Sequence, residues 1–440
     1  MPQANQLLGA SYRLYRNSKT NKTVIRTVGY ALPEVLHTHI QTVAPTTHFP
    51  STRGMQQTPL RRSFGAASAQ EQAASGKHVM ARQEQGITPS KLRWLYHTGK
   101  YTPAKPEQNR FGILGINDEY PSAGDLTQFM TGYRSDEEDV TFSISQWNGG
   151  KYGPNNPSDH ANIGLQYAAA MAYPATLIFY SLGGDMDWGI NGEPIAGDMY
   201  LVWLNTILQQ TFPPLTISIS YGHYERDLPV EYARSLCHLF AQLGARGVTV
   251  LAASGIDGVG PGNCVNEGHV QFMPEFPSTC TYRVLSSLSG TQKSARTSRS
   301  PVRHGFAGPY VTSVGGTTHF HPEAAANLSG GGFSYYFDRP PFQRRAVPRY
   351  MKRIPDFYEG LYRCVCSPPV TWPFLTLLNL CSPIGRGYPD ISAQALNYEV
   401  VVDGEKYYAN GTTCAVSVGV FPCHSPAASA LRPSRSQAPS

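Results

Sequence analysis

The sequence lacks both a long apolar run and the short motifs that mark many enzymes. None of its 440 residues fall in an uninterrupted apolar stretch of about 18 residues, the length that a transmembrane helix needs. A Walker loop, a dinucleotide glycine fingerprint, an HExxH zinc motif and a GxSxG elbow are all missing. We therefore expect no membrane partner, and neither nucleotide binding nor catalytic zinc has support in the sequence.

Acidic residues are absent from three stretches of the chain, at 283–308, 363–382 and 416–440. The net charge of +6 arises from 36 Lys and Arg against 30 Asp and Glu, and eight of the basic residues lie in these stretches. Those charges stand among Ser, Thr and Pro, without aromatic side chains interleaved for base stacking. We therefore expect no nucleic-acid partner.

Cysteine is too scarce for a disulfide-rich scaffold, with eight residues in the chain. Cys264 and Cys280 flank one loop that a disulfide could close in an oxidising compartment, and the alternative is two buried free thiols. Weak support for export comes from the N-glycosylation triplets at Asn21, Asn327 and Asn410. Residues 1–12 contain no apolar core of signal-peptide length, so the chain is either not exported or lacks its true start.

Strand-like and helix-like runs alternate from residue 87 onward. This alternation predicts an α/β domain with a mostly parallel sheet covered by helices on both faces. The predicted strands are Phe111–Ile116, Thr141–Ser145, Thr176–Leu182, Leu215–Ser220 and Val248–Ala253. The predicted helices are Asp159–Ala172, Met199–Gln209 and Val230–Arg246. Ligand sites in this class lie where strands end, which singles out the loop at 254–260.

The chain before residue 87 divides into two parts. Residues 1–49 read as the end of a small α+β unit with a helix over Pro33–Gln41, and this unit is too short to hold its own core. Residues 50–86 are rich in Ser, Gln, Ala and Gly, which predicts an exposed linker with a candidate processing site at Arg61-Arg62.

Eight short sequence motifs, which follow one another along the chain in a fixed order, then suggest a family. They are SISYG (218–222), FAQLGARG (240–247), ASGIDGVG (253–260), VQFMPEFP (270–277), PYVTSVGGT (309–317), SGGGFS (329–334), GRGYPD (385–390) and NGTTCA (410–415). The sequence resembles the sedolisin family of serine-carboxyl peptidases, and within it the fungal secreted tripeptidyl peptidases. The match covers residues 8 to 415, and so many ordered phrases do not arise by chance.

The resemblance implies a subtilisin-like α/β peptidase domain made as a zymogen. Residues 1–49 would be the C-terminal part of a prosegment, 50–86 the activation region, and 87–415 the peptidase domain. Such enzymes work outside the cell at acid pH, removing tripeptides from the N-termini of peptides and proteins or acting as endopeptidases. Their chemistry uses a Ser nucleophile, a Glu base, an Asp that orients the Glu, and a second Asp that donates a proton toward the oxyanion.

All four of these catalytic positions carry other residues here. His160 stands at the base position and Gly164 at its partner, while Ile256 replaces the oxyanion carboxyl and Thr413 replaces the nucleophilic serine. A histidine is an imidazolium at acid pH and cannot accept a proton, glycine orients nothing, and an alkyl side chain donates no hydrogen bond. Asp257 could substitute for the oxyanion carboxyl if its loop shifted by one residue. We therefore expect a catalytically impaired homologue.

Other features of the family suggest what this chain keeps and what it has lost. The resemblance implies that the peptide groove is lined by Ser218, Tyr221, Gly222, Gly330, Gly331 and Gly332. Family members hold calcium in a C-terminal loop of carboxylates and carbonyls, but the tail at 416–440 is acid-free, so we expect that site to be missing and no metal to be bound.

The stretches 283–308 and 363–382, which lack acidic residues, interrupt the sequence motifs of the family, so we interpret them as atypical inserts. The alternative is that they are genuine surface loops. Three other functional interpretations stay open beside the impaired peptidase. The first is a true peptidase in which Thr413 and a shifted Asp257 retain weak turnover. The others are a non-catalytic homologue that binds peptides and the product of a faulty gene model that does not fold.

Overall fold

A computed structural model describes most of the chain outside the inserts and the tail. The described residues are 1–16, 23–37, 39–40, 42–47, 53–54, 56–57, 86–99, 105–116, 118–137, 139–153, 157–183, 185–186, 195–196, 199–260, 265–266, 269–270, 272–281, 310–353 and 385–418. The predicted inserts at 283–308 and 363–382, the tail beyond residue 418, and Cys264 lie outside the described residues.

The helices and strands of these residues are as follows. The helices are α1 (Pro2–Leu8), α2 (Pro89–Leu95), α3 (Ala123–Tyr133), α4 (Asp159–Ala172), α5 (Met199–Gln209), α6 (Val230–Ala245), α7 (Ala346–Met351) and α8 (Thr412–Val418). The strands are β1 (Arg13–Arg16), β2 (Thr23–Arg26), β3 (Arg53–Gly54), β4 (Gln56–Gln57), β5 (Phe111–Ile116), β6 (Phe142–Trp147), β7 (Leu177–Leu182), β8 (Asp185–Met186), β9 (Ile195–Ala196), β10 (Thr216–Ile219), β11 (Tyr221–Tyr224), β12 (Thr249–Ala253), β13 (Val265–Asn266), β14 (His269–Val270), β15 (Glu275–Phe276), β16 (Thr312–Thr318), β17 (Ala324–Ala325), β18 (Gly332–Asp338), β19 (Gly385–Tyr388), β20 (Ile391–Gln394), β21 (Tyr398–Val402) and β22 (Glu405–Gly411).

An eight-stranded, mostly parallel sheet forms the centre of the fold. Its strand order is β17-β16-β12-β10-β5-β7-β6, with β20 paired to β16 and with β17 as the antiparallel member. The strands in the middle are buried along their whole length, since every residue of β5 and of β10 is buried. Such continuous burial is what a parallel sheet covered on both faces requires. The predicted α/β class is confirmed.

Two helical layers cover the sheet and create two apolar cores. One core joins α3, α4 and α8 with β21, and the other joins α5 and α6 with the opposite face. Helix α4 begins where Ser158 caps it, because the Ser158 hydroxyl accepts a hydrogen bond from the Ala161 N–H at 3.3 Å. It ends at Ala172, two residues before Pro174, so its bounds match the prediction. None of the helices in the described ranges is long and apolar enough to cross a membrane.

The N-terminal region departs from the prediction in its helices. The helix expected over Pro33–Gln41 is wrong, since the described residues of this range form a 3₁₀ turn at Glu34–Leu36 with no buried residue. A short helix without a buried apolar face gains too little to offset its nucleation cost. Helix α1 had no counterpart in the prediction, and the strands of this unit form one antiparallel pair, β1 with β2.

One disulfide joins Cys280 to Cys237 of α6, so both alternatives for Cys280, a bond to Cys264 and a free thiol, are wrong. The two Cα atoms are 5.6 Å apart and both residues are buried in the core on the α6 face. The packing of α6 against the sheet brings together two cysteines that are 43 residues apart, which loop spacing in the sequence does not reveal.

Removing this disulfide is expected to lower the free energy of unfolding by about 2–4 kcal/mol, because the closed loop restricts the unfolded chain. The change is Cys237→Ala with Cys280→Ala, followed by urea unfolding beside the unaltered chain. A reductant should lower the unfolding midpoint of the unaltered chain and leave the midpoint of the double variant unchanged. Equal midpoints for the oxidised and the reduced chain would contradict the bond.

Candidate active site

Several polar side chains meet at the edge of the sheet where the parallel strands end. Glu119 follows β5, Tyr221 begins β11 just after β10, and the loop at 254–257 follows β12. His160 from the first turn of α4 and Thr413 from the first turn of α8 face the same place. Loops at the carboxyl ends of parallel strands are where α/β proteins bind ligands, so the site lies where the class predicts.

His160 links two of these side chains through its two ring nitrogens. The Nδ1 atom lies 2.8 Å from Glu119 Oε2, and the Nε2 atom lies 2.9 Å from Thr413 Oγ1. A carboxylate only accepts, so Nδ1–H donates to Glu119, and a neutral ring then presents a bare Nε2 that accepts from the Thr413 hydroxyl. His160 and Thr413 are buried, at 8% and 0% exposure.

Glu119 is held as a carboxylate by several donors. The Tyr221 hydroxyl donates to Glu119 Oε2 at 2.6 Å, and the Ser158 hydroxyl donates to the same carboxylate. Burial alone would raise the pKa of Glu119, but the electrostatic effect of the adjacent His160 ring and these hydrogen bonds outweigh it and hold the pKa below its ordinary value. The Tyr221 ring also meets the imidazole edge-on, with 4.5 Å between ring centroids. The position of the imidazole is therefore fixed from two sides.

The remaining predicted catalytic positions lie close by but do not form a comparable series of hydrogen bonds. Gly164 is buried on α4 one turn after His160, and a Cβ there would lie 3.4 Å from Ile113 Cγ2. Ile256 is half-buried and packs against the α4 and α8 core. Asp257 accepts a hydrogen bond from the Tyr224 hydroxyl. The structure thus brings His160 and Thr413 into direct contact and leaves the roles of the other positions as predictions.

The loop before Ile256 is tied to the start of α8. The Gly255 carbonyl accepts a hydrogen bond from Thr412 Oγ1 at 3.1 Å and another from the Gly330 N–H at 2.9 Å. Gly255 has φ +106°, a conformation that favours glycine. Residue 256 is therefore held in a fixed relation to Thr413.

The predicted groove residues divide into two locations. Ser218 is buried inside β10, and Tyr221 and Gly222 form the start of β11. Gly330, Gly331 and Gly332 line a cavity of about 540 Å³ together with Phe333 and Tyr388. A Cβ on Gly330 would lie 1.9 Å from the Ser254 carbonyl oxygen, so this close backbone approach requires glycine.

Part of the predicted linker pairs with both walls of the site. Backbone β3 pairs antiparallel with β11, with Gly54 opposite Tyr221 and Arg53 opposite Gly222. Backbone β4 pairs antiparallel with β22, with Gln57 opposite Asn410 and Gln56 opposite Gly411. The strands Arg53–Gly54 and Gln56–Gln57 therefore lie against the edges of β11 and β22, and β22 leads directly into the helix that carries Thr413.

A metal site is not evident in this part of the chain. The described residues contain no group of three or more His, Cys, Asp or Glu side chains that could hold a metal ion. The residues beyond 418, where the resemblance places the calcium loop, contain no carboxylate side chain, so the absence of that site stays a prediction.

Comparison with known proteins shows which family this chain resembles. Residues 1–49 match the model of the pro-kumamolisin activation domain. The chain is 30% identical to tripeptidyl-peptidase SED2 of Arthroderma otae over 430 residues, which is 94% of this chain and 63% of that protein. The chain belongs to the sedolisin family. It spans less than two thirds of the length of this relative.

Two other relatives agree with this assignment, and one solved structure was found beside them. The chain is 31% identical to a probable tripeptidyl-peptidase SED3 of Trichophyton verrucosum, covering 89% of this chain and 59% of that one. It is 30% identical to tripeptidyl-peptidase sed4 of Aspergillus fumigatus, covering 94% and 64%. A Pseudomonas sedolisin, a serine-carboxyl proteinase in complex with pseudo-iodotyrostatin, aligns at a TM-score of 0.48 and 18% identity over 79% of this chain and 82% of that one.

The sequence analysis missed Glu119, the third member of the hydrogen-bonded chain. One signal could have found it, since Glu119 follows the buried strand β5 at the same sheet edge as the 254–260 loop. Its partner His160 is 41 residues away, and that distance in sequence hid the pair.

Proposed function

We propose that this sedolisin homologue is exported, binds extended peptides and protein N-termini of the kind that tripeptidyl peptidases take, and lacks the acid reaction of its relatives. The proposal is carried by the position of two short strands that belong to this chain itself. Strand β3 (Arg53–Gly54) pairs with the edge of β11, and strand β4 (Gln56–Gln57) pairs with the edge of β22. Strand edges that hold one extended backbone by main-chain hydrogen bonds hold another in the same way.

The loss of the acid reaction follows from the residues at the site. At acid pH an imidazole is protonated, so it cannot take the proton of a hydroxyl nucleophile. Gly164 offers no carboxyl to orient a base, and Ile256 offers no donor to an oxyanion.

Peptide binding is tested with a variant in which Arg53–Gln57 is replaced by Gly-Ser-Gly-Ser-Gly, here called the open-cleft variant. A fluorescein-labelled peptide Ser-Thr-Arg-Gly-Met-Gln-Gln-Thr, the sequence of residues 51–58, should bind it saturably by fluorescence anisotropy. Peptides N-methylated at single backbone positions are the matched control, and at least one should bind about tenfold more weakly because it loses an edge hydrogen bond. Equal binding of every methylated peptide would count against strand pairing, and absence of saturable binding would overturn the proposal.

Acid hydrolysis is expected to be undetectable. A tripeptide-aminomethylcoumarin with a free amine is incubated at about pH 3 to 5, where carboxylate bases work and imidazole does not, with the full chain and with the open-cleft variant. Both should give the rate of buffer alone. Turnover in this range that persists in His160→Gln would mean that another group acts as an acid-range base, and would refute this part of the proposal.

A further inference from the structure

We infer that Thr413, His160 and Glu119 form a nucleophile, a base and an orienting carboxylate that hydrolyse acyl bonds at neutral pH. The inference rests on the proposed peptide cleft and gives that cleft a chemistry different from the family's carboxylate mechanism. The new pair consists of His160, at the position of the family's base, and Thr413, at the position of its nucleophile. A histidine in place of the carboxylate base and a threonine in place of the serine remain in hydrogen-bond contact.

The geometry satisfies the requirements of such a chain. A base must lie within about 2.6–3.2 Å of the hydroxyl it deprotonates, and a third group must hold the base in the correct tautomer. The Nε2 to Thr413 Oγ1 distance is 2.9 Å and the Nδ1 to Glu119 Oε2 distance is 2.8 Å. Three residues from three separate elements thus meet in one line, with the proton-accepting nitrogen directed at the hydroxyl.

Glu119 is suited to the orienting role because its environment keeps it ionised. The Tyr221 and Ser158 hydroxyls donate to it in addition to His160, and the pKa of Glu119 lies below its ordinary value although burial opposes this. An ionised partner stabilises the imidazolium that forms when Nε2 takes a proton. Glu119 therefore acts as a positioning residue, through His160, and does not touch the substrate.

Other titratable groups pack around α4 but are engaged elsewhere. Asp125 of α3 accepts from Asn162 Nδ2 at 2.8 Å and from the backbone N–H groups of Asp403 and Gly404. The remaining titratable groups on α4 and on the elements that pack against it are Asp159 and Tyr167 of α4, Tyr133 of α3, Lys91 and Arg93 of α2, Tyr180 of β7, Tyr398 and Glu399 of β21 and Cys414 of α8. Burial raises the pKa values of Tyr167, Tyr398 and Cys414, which keeps these groups neutral.

The reaction balances with water as the only co-reactant. Thr413 Oγ1 bonds to the carbonyl carbon of the peptide while its proton passes to His160 Nε2, and the π electrons of the carbonyl move onto oxygen. When that electron pair returns, the carbon–nitrogen bond breaks, the amine leaves with the proton from Nε2, and an ester remains on Thr413. Water then adds to the ester and gives a proton to Nε2. The bond to Oγ1 breaks, and Oγ1 recovers the proton.

Two features of the site set the expected rate. Threonine can act as a nucleophile, but its extra methyl group restricts χ1 and so restricts the angle of attack. Ile256 donates nothing to the oxyanion. Thr413 is also fully buried with β4 paired beside it, so the full chain is a closed form of the site.

The test is acetylation of Thr413 by p-nitrophenyl acetate, a small activated ester, with the acetylated residue located by peptide mass spectrometry. The full chain and the open-cleft variant are compared at about pH 5 and pH 8, on either side of the ordinary imidazole titration. We expect acetylation at Thr413 that is faster at the higher pH and faster in the open-cleft variant. His160→Gln should slow it about 100-fold, and Thr413→Ser should retain it. His238→Gln, on helix α6 at the opposite face of the sheet, is the matched control and should change nothing.

The role of Glu119 has its own readout. The Nδ1–H to Glu119 hydrogen bond should give a strongly downfield proton NMR resonance in the full chain and in Thr413→Val, and Glu119→Gln should remove it while slowing acetylation. Absence of acetyl-Thr413 from both forms of the protein, or the same rate in His160→Gln, overturns the inference. If the labelled peptide binds but Thr413 is never acetylated, the peptide-binding proposal stands and the inference falls. If Thr413 is acetylated in a reaction that depends on His160 but no peptide binds, the inference stands and the peptide-binding proposal falls.

Discussion

Ile256→Asn is expected to raise the rate of peptide hydrolysis at neutral pH by about 10²–10³-fold, which is the usual value of one donor to an oxyanion. Position 256 is where the resemblance to the sedolisins places the oxyanion carboxyl. The loop that carries it is bonded to α8 through the Gly255 carbonyl and Thr412 Oγ1. An amide at this position can donate a hydrogen bond at any pH. The measurement is kcat for a free-amine tripeptide-aminomethylcoumarin with the open-cleft variant as background.

Ile256→Asp is the sharpest comparison because it differs from Asn by one atom. Its carboxyl donates only when protonated, at pH values near an ordinary carboxyl pKa of about 4, whereas an imidazole base must be neutral to work. The two requirements exclude each other over most of the pH range, so the Asp variant should show little gain at any pH. Ile256→Val keeps the site without a donor and sets the baseline.

Two results would contradict this account of position 256. Equal rates for the Asn and Val variants would place residue 256 away from the oxyanion. A gain at neutral pH as large for Asp as for Asn would mean that charge, rather than a donated hydrogen bond, is responsible. Because Ile256 packs against the core, thermal melting of each variant should accompany the kinetics, with a loss of about 1–3 kcal/mol expected for either polar residue.

Local sequence signals were enough to predict most of the central sheet and its helices. Helices α4 and α5 have the predicted bounds, since Ser158 caps the first and apolar residues recur at helical spacing in both. Strand β5 was equally clear, because its sequence FGILGI carries no polar side chain, and all six residues are buried. The Cys237–Cys280 bond was not predictable, since it depends on how α6 packs rather than on any local spacing.

The site was predicted only in part, for a related reason. The resemblance aligned His160 and Thr413 with the family's base and nucleophile, and each was read as a loss because each was judged against the family's acid chemistry. Their 2.9 Å contact and the carboxylate behind them are properties of the folded chain. Glu119 lies in a short loop with no periodic pattern, so chain position alone gave it no role. Whether residues 87–415 form one peptidase domain stays a prediction.

Restoring all four family residues, by His160→Glu, Gly164→Asp, Ile256→Asp and Thr413→Ser, is expected to produce acid hydrolysis where the unaltered chain shows none. A Glu at 160 would stand beside Glu119, and two adjacent carboxyls share a proton. Gly164 leaves room at its Cβ position, where Ile113 Cγ2 lies 3.4 Å away, and a residue one helical turn after 160 shares its face. Because these residues act as a unit, the single variants should stay silent at acid pH.

The fourfold variant should also reverse the pH dependence of stability at the site. In the unaltered chain the pKa of Glu119 is lowered in the fold, so its stabilising contribution is present above the pKa of the unfolded residue and is lost as pH falls. In the variant the shared proton raises the folded pKa of the carboxyl pair, so its contribution is full at acid pH and is lost as pH rises through that value. Melting curves at about pH 4 and pH 7 should therefore diverge in opposite directions for the two chains, relative to Glu119→Gln in each background. If the variant melts as expected but does not hydrolyse the tripeptide substrate at acid pH, the four substitutions are not what separates this chain from its relatives, and the cause lies outside the site.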